Sequence, residues 1–222
     1  MTTFHRCLLG TACGMALTRA VAQSFSAQVT ADNHYQLYIG DTAGTQLTLI
    51  GQNESGSTGN PGVYNWSAPE SWNFQLPLGQ RIYVVAWDAG SQGGWLGQFG
   101  SVAGTLFSNP SGWRHTTSSA ANPGDSQPNL LPTLLLDIAS AASGGSWLAN
   151  PPSSGANGTG PWGTIPGIAS SAEWLGVPSN SGPVTIFRSE FVGVPEAPGV
   201  SAAVVAAVFG AVATIRHRRH RP

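Results

Sequence analysis

A chain of 222 residues with nine arginines, no lysine, a formal net charge of −1 and only 9% charged residues has room for one ordinary domain once its ends are set aside. Gly (29) and Pro (16) are abundant, but eight tryptophans argue against a disordered chain, because such chains are poor in aromatics. Arg6 and Arg19 lie near the start, Arg216, Arg218, Arg219 and Arg221 at the end, and only Arg81, Arg114 and Arg188 between, whereas all ten carboxylates fall from Asp32 to Glu196. The middle of the chain is therefore acidic, which argues against nucleic acid as a partner, since phosphate binding needs a basic surface.

At the N-terminus, His5 and Arg6 precede an uncharged stretch over residues 7–17, and Ala20-Val21-Ala22 then has the small-x-small form of a signal-peptidase site. Residues 1–22 read as a secretory signal peptide, the run being too short to cross a bilayer. Cys7 and Cys13, the two cysteines of the chain, both fall inside it. The exported domain is then expected to hold no thiol and no disulfide, and to depend on its core.

From Phe25 the pattern changes to alternation and turns. Residues 25–30 and 35–39 read as strands joined at Ala31-Asp32-Asn33-His34, and residues 46–50 follow the Gly40-Asp41 turn as a third. Ile82-Tyr83-Val84-Val85-Ala86-Trp87 is a continuous apolar and β-branched run, expected to be a central strand buried on both faces. The region 109–169, rich in Gly, Ser, Pro and Asn, is long for a connection, and residues 134–138 are expected to supply a strand within it. Residues 184–187 form the last strand. With no helical period of useful length, the class is all-β, a β-sandwich over residues 23–193.

A resemblance rests on these strands. Thr30-Ala31-Asp32-Asn33, Tyr35, Leu37-Tyr38-Ile39-Gly40, then Trp72-Asn73-Phe74, Leu76, Gly79-Gln80, Ile82, Val84-Val85-Ala86-Trp87-Asp88 and a Gly-rich turn into Trp95-Leu96 are similar to the galactose-binding-like jelly roll of α-L-rhamnosidases and related modules. Gly112-Trp113-Arg114, Gly160-Pro161-Trp162-Gly163 and Ile186-Phe187-Arg188-Ser189-Glu190-Phe191 resemble that family's closing segments. The resemblance implies an accessory jelly-roll β-sandwich that binds sugars and carries no catalytic barrel, hence no enzyme activity.

The residues themselves offer little for catalysis. His34 and His115 are the histidines of this domain, too few for a closed zinc site without carboxylates, and no Gly-x-Ser-x-Gly elbow is present. Asp32, Asn33 and Asp88 occupy turn positions whose oxygens suit calcium, although Asp and Asn favour turns for their own backbone hydrogen bonds; no metal and no cofactor is expected. Trp72 and Trp87 read as core. Trp66, Trp95, Trp113, Trp147, Trp162 and Trp174 sit beside Gly, Pro or Ser, and Trp66, Trp113 and Trp162 are the candidates for stacking on sugar rings. The expected function is a non-catalytic, carbohydrate-binding surface domain. The alternative is a secreted glycan-active enzyme whose carboxylates meet only in the fold.

The C-terminus reads Val194-Pro195-Glu196-Ala197-Pro198, then residues 199–215 without a charge, then Arg216-His217-Arg218-Arg219-His220-Arg221-Pro222. Seventeen apolar residues cover roughly 26 Å as a helix, about the hydrocarbon thickness of a bilayer. The arginine cluster would stay in the cytoplasm and leave the acidic domain outside. Val194, Pro195 and Glu196, the short apolar helix and the terminal arginines resemble the PEP-CTERM sorting signal over residues 194–222, with Ala197 where that family has a second proline. The resemblance implies a Gram-negative source, an exosortase-type sorting enzyme as partner, an inner-membrane tether during sorting, then the cell surface or extracellular matrix, with exopolysaccharide as a further partner. The exported product is expected to begin near Gln23 and to be free of cysteine; intact-mass analysis with thiol labelling checks this, and a labelled Cys13 in the exported protein would refute it.

Overall fold

The computed structural model describes residues 22–53, 66–90, 92–159, 161–179, 181–191 and 193. In chain order come β1 (Gln23–Asp32), β2 (His34–Gly40), β3 (Leu47–Gln52), β4 (Glu70–Leu76), β5 (Arg81–Trp87), β6 (Gly93–Ser101), β7 (Gly104–Phe107) and β8 (Trp113–Thr117). The helix α1 (Leu131–Gly144) follows, then β9 (Leu148–Ala149), β10 (Ser153–Ala156), β11 (Glu173–Val177) and β12 (Thr185–Ser189). The strands form two antiparallel sheets. The first runs β10-β11-β6-β1-β4 with β7 also on β6, and the second runs β3-β2-β5-β12-β8-β9.

Period-2 alternation decides which side chains face the space between the sheets. Phe25, Ala27, Val29 and Ala31 of β1 and Trp95 and Phe99 of β6 face Tyr35, Leu37 and Ile39 of β2, Ile82, Val84 and Ala86 of β5 and Phe187 of β12 in one buried cluster. Its centre is aromatic. Trp95 meets Trp113 edge-on with centroids 4.8 Å apart, and both contact further rings, Trp95 with Phe187 at 5.6 Å and Trp113 with Phe99 at 5.6 Å. Such edge-to-face pairs contribute about 0.5–1.5 kcal/mol each beyond the area they bury.

The expected central strand is β5, and it is buried on both faces: its other side, Tyr83, Val85 and Trp87, belongs to a second cluster with Val184, Ile186 and Trp147. That cluster is closed by α1, which corrects the reading of residues 134–138 as a strand and of the domain as free of helix. Leu134, Ile138 and Ala141 are buried and spaced four and three apart, one face of a helix. Pro132 sits in its first turn, and Gly145 ends it at φ 68°, a left-handed backbone that glycine adopts without a Cβ penalty. The run Leu130-Leu131-Pro132-Thr133-Leu134-Leu135-Leu136 is apolar on all sides, so periodicity alone does not separate helix from strand there.

The outer face of the first sheet is partly covered by residues 161–172. Ile165, Ile168 and Ala172 pack with Leu96, Trp162 and Trp174 in a third cluster. Buried Asn157 pins this segment by donating to the carbonyls of Ile165 (3.1 Å) and Ile168 (2.6 Å) and accepting from the Ile165 amide (2.7 Å). The long Gly- and Ser-rich region thus holds β8, α1, β9 and β10 and ends in a self-packed loop. Trp113→Ala should cost about 3–5 kcal/mol of unfolding free energy, because it opens a large cavity where the sheets meet; denaturant titration checks it, and a loss under about 1 kcal/mol would contradict this account of the core.

Candidate functional site

The sorting motif Val194, Pro195 and Glu196 and the charge cluster Arg216, Arg218, Arg219 and Arg221 lie outside the described residues. The three tryptophans singled out for sugar stacking are not grouped as a solvent-facing set. Trp113 is 1% exposed at the centre of the core, its Nε1 donating to the Phe107 carbonyl at 2.9 Å. Trp162 is 5% exposed, stacked on Trp174 at 4.3 Å. Trp66 is half-buried against the same cluster, and its carbonyl accepts from the Thr30 hydroxyl. Gly, Pro and Ser neighbours mark Trp66, Trp147 and Trp162 outside the strands, but Trp95, Trp113 and Trp174, expected in loops by the same signal, belong to β6, β8 and β11, where strand alternation turns their rings into buried clusters.

Asp32, Asn33 and Asp88 do come together, at the end of the sandwich where β1 turns into β2 and β5 ends. Asn33 Nδ2 donates to Asp32 Oδ1 at 3.1 Å, the Ala89 amide donates to Asn33 Oδ1 at 2.9 Å, and the Gly90 amide donates to Asp88 Oδ1 at 2.9 Å. Trp162 Nε1 donates to Asp32 Oδ2 at 2.7 Å. Burial holds the Asp32 carboxyl above its ordinary value; the Trp162 hydrogen bond opposes this and the nearby Asp88 charge adds to it. The oxygens are thus engaged in tying three segments together, the turn-forming use of Asp and Asn. Among the described residues, no group of three or more His, Cys, Asp or Glu side chains is arranged to hold a metal ion.

Among the described residues, two of the surface depressions are lined by polar side chains from several strands. One, of about 440 Å³, lies on the outer face of the first sheet beside the covering loop. The strand alternation that buries Phe25, Ala27, Phe74 and Phe99 turns Ser26, Gln28, Ser71, Asn73 and Gln98 outward, and these line it together with Thr105. None of its lining residues is charged. Gln98 ties the loop to the sheet, donating to Gln28 Oε1 (3.1 Å) and the Gly167 carbonyl (2.8 Å) and accepting from the Ala169 amide (2.9 Å). Ser26, Ser71 and Asn73 have no hydrogen-bonded side-chain partner among the described residues. The other depression, of about 680 Å³, lies between the sheets and is lined by His115, Thr117, Ser154, Val177, Pro178 and Thr185 among others. Sequence reasoning passed over the first groove, although the alternation of Ser, Gln and Asn with apolar residues in β1 and β4 carries its signal.

These features define an antiparallel β-sandwich with both outer faces partly covered and an uncharged amide- and hydroxyl-lined groove on one of them. Comparison with known proteins finds no matching family, no matching curated sequence and no matching solved structure.

His34 is a buried titratable group at this end of the sandwich. It is stacked on Trp87 with centroids 5.3 Å apart, and its Nε2 lies 3.3 Å from Asp125 Oδ1. Burial holds its pKa below the ordinary histidine value, with Asp125 and then Asp88 pulling the other way; burial lowers His115 as well. A folded pKa below the unfolded one means that the unfolded chain takes up the proton first. This contribution is present above the ordinary histidine value and is lost as pH falls through it. Asp32, held high, acts with the opposite sign but in the more acidic carboxylate range. The denaturant midpoint should therefore fall between pH 7.5 and pH 6, and the fall should shrink in His34→Gln. Equal midpoints in the parent at the two pH values would disprove it.

Proposed function

We propose that this protein is an exported, exosortase-sorted surface or matrix component, tethered by residues 199–215 during sorting, whose galactose-binding-like domain binds a neutral saccharide without hydrolysing it. The observation that carries the binding reading is the uncharged groove of Ser26, Ser71, Asn73, Gln98 and Thr105. Saccharide hydroxyls are met by short hydroxyl and amide side chains that both donate and accept, and a groove of a few hundred cubic ångströms suits one or two sugar rings. Glycoside hydrolysis requires a carboxylic acid and a second carboxylate across the scissile bond, and no Asp or Glu lines this groove. Among the described residues no helix is long and apolar enough to cross a membrane, so the tether reading rests on the sequence of residues 199–215.

Sugar stacking by Trp113 and Trp162 is not part of this reading, since both rings are buried. The groove residues replace them. Asn73 and Ser71 are exposed strand residues, so Asn73→Ala and Ser71→Ala should leave folding stability within about 0.5 kcal/mol. Each loses a ligand hydrogen bond worth about 1 kcal/mol, which weakens retention of the full-length protein on a neutral polysaccharide column about fivefold. Retention equal to the parent in both variants would reject the groove as the site, and release of reducing sugar by the purified parent would favour the glycan-active enzyme instead.

A further inference from the structure

The described domain has three basic side chains apart from histidine, Arg81, Arg114 and Arg188, and the fold brings all three together on the outer face of the second sheet. Arg188 of β12 stands directly opposite Arg114 of β8 on one side and Tyr83 of β5 on the other, and Arg81 lies two residues before Tyr83 on the same face of β5. Like charges directly opposite across two strands destabilise a sheet, so this placement costs stability unless something negative is held there.

Only part of that need is met within the chain. Glu190 forms an ion pair with Arg114 Nε. Arg81 spends one terminal nitrogen on backbone, donating from Nη1 to the carbonyls of Ser189 (2.6 Å) and Glu190 (2.7 Å). Arg188 is laid over the Trp147 ring, its guanidinium carbon 4.3 Å from the centroid, which fixes the plane of the fork. The Nε groups of Arg81 and Arg188 are buried and have no acceptor among the described residues. Burial, then the charge of Arg81, holds the Arg188 pKa below the ordinary arginine value.

We propose that Arg81, Arg114 and Arg188 form an oxyanion site that takes the carboxylate of a small organic acid, an acidic sugar being one source. A planar guanidinium presents parallel donors that match a carboxylate in two-point contact, and a bound anion would relieve the repulsion between Arg114 and Arg188. A singly charged carboxylate suits the surroundings better than phosphate, because the nine carboxylates of residues 23–193 repel a dianion more strongly. The site lies on the opposite sheet from the uncharged groove and does not depend on that groove binding anything.

The test is titration of the full-length protein with glucuronate, lactate, glucose and inorganic phosphate, read by calorimetry and by the shift in thermal midpoint. Saturable binding of glucuronate or lactate, weakened by added salt and absent for glucose, is expected; whether lactate alone suffices tells a general carboxylate from a sugar acid. Arg188→Gln and the partly exposed Arg114→Gln should each weaken this binding at least tenfold, and the midpoint of Arg114→Gln without ligand should stay near the parent's, since a like-charge contact and the half-exposed ion pair with Glu190 are lost together. Equal response to glucuronate and glucose, binding of phosphate alone, or full binding by Arg114→Gln would each overturn the proposal.

Discussion

The contact on which this structure depends is the edge-to-face meeting of Trp95 and Trp113 across the two sheets, joined by Phe99 and Phe187. Trp95 is carried by β6 of the first sheet, Trp113 by β8 of the second, and both rings are essentially inaccessible to solvent. No disulfide links the sheets, because both cysteines of the chain precede the sandwich. The association of the layers therefore rests on apolar burial and on the shape of these aromatics, and large side chains gain most per residue from that burial.

A consequence follows for the outer faces. A sheet with a strand apolar on both sides, as β5 is, is stable only if its second face is also covered. Helix α1 supplies that cover over Tyr83, Val85 and Trp87, and Trp147 completes it. The first sheet is treated differently. Its outer positions in β6 and β11 include Leu96 and Trp174, over which the loop carrying Ile165, Ile168 and Trp162 lies, and those of β1 and β4 that line the groove are polar. The candidate groove is the part of that face left open.

The two proposed sites are opposite in character for the same reason. Where the sheet face is polar and uncharged, hydroxyls and amides are offered to a ligand that can both donate and accept. On the outer face of the second sheet, Arg81, Arg114 and Arg188 share one side, and their mutual repulsion is only partly relieved by Glu190. A chain with so few charges places its basic groups of this domain on one patch, and that concentration gives the patch a specificity that scattered charges lack.

Several elements were legible in local pattern alone. The alternation in β1, the turn at Asp32-Asn33, the continuous run of β5 and the closing strand β12 are each marked by side-chain period or by turn chemistry, which are properties of a few neighbouring residues. The absence of thiols in the sandwich and the charge asymmetry between middle and ends are likewise properties of the chain as written. What only the tertiary structure decided was the state of α1, since an apolar run around Pro132 satisfies either period, and the burial of Trp113 and Trp162, since a ring beside glycine and proline is exposed or buried according to what folds over it. The groove and the arginine patch belong to the same category: their residues lie far apart in the chain, and it is strand pairing between distant segments that sets Ser26 beside Asn73 and Arg114 opposite Arg188. Sequence determines which face of its strand each residue occupies, but register and sheet order, fixed by the packing of Trp95 on Trp113 and its neighbours, determine which residues share that face.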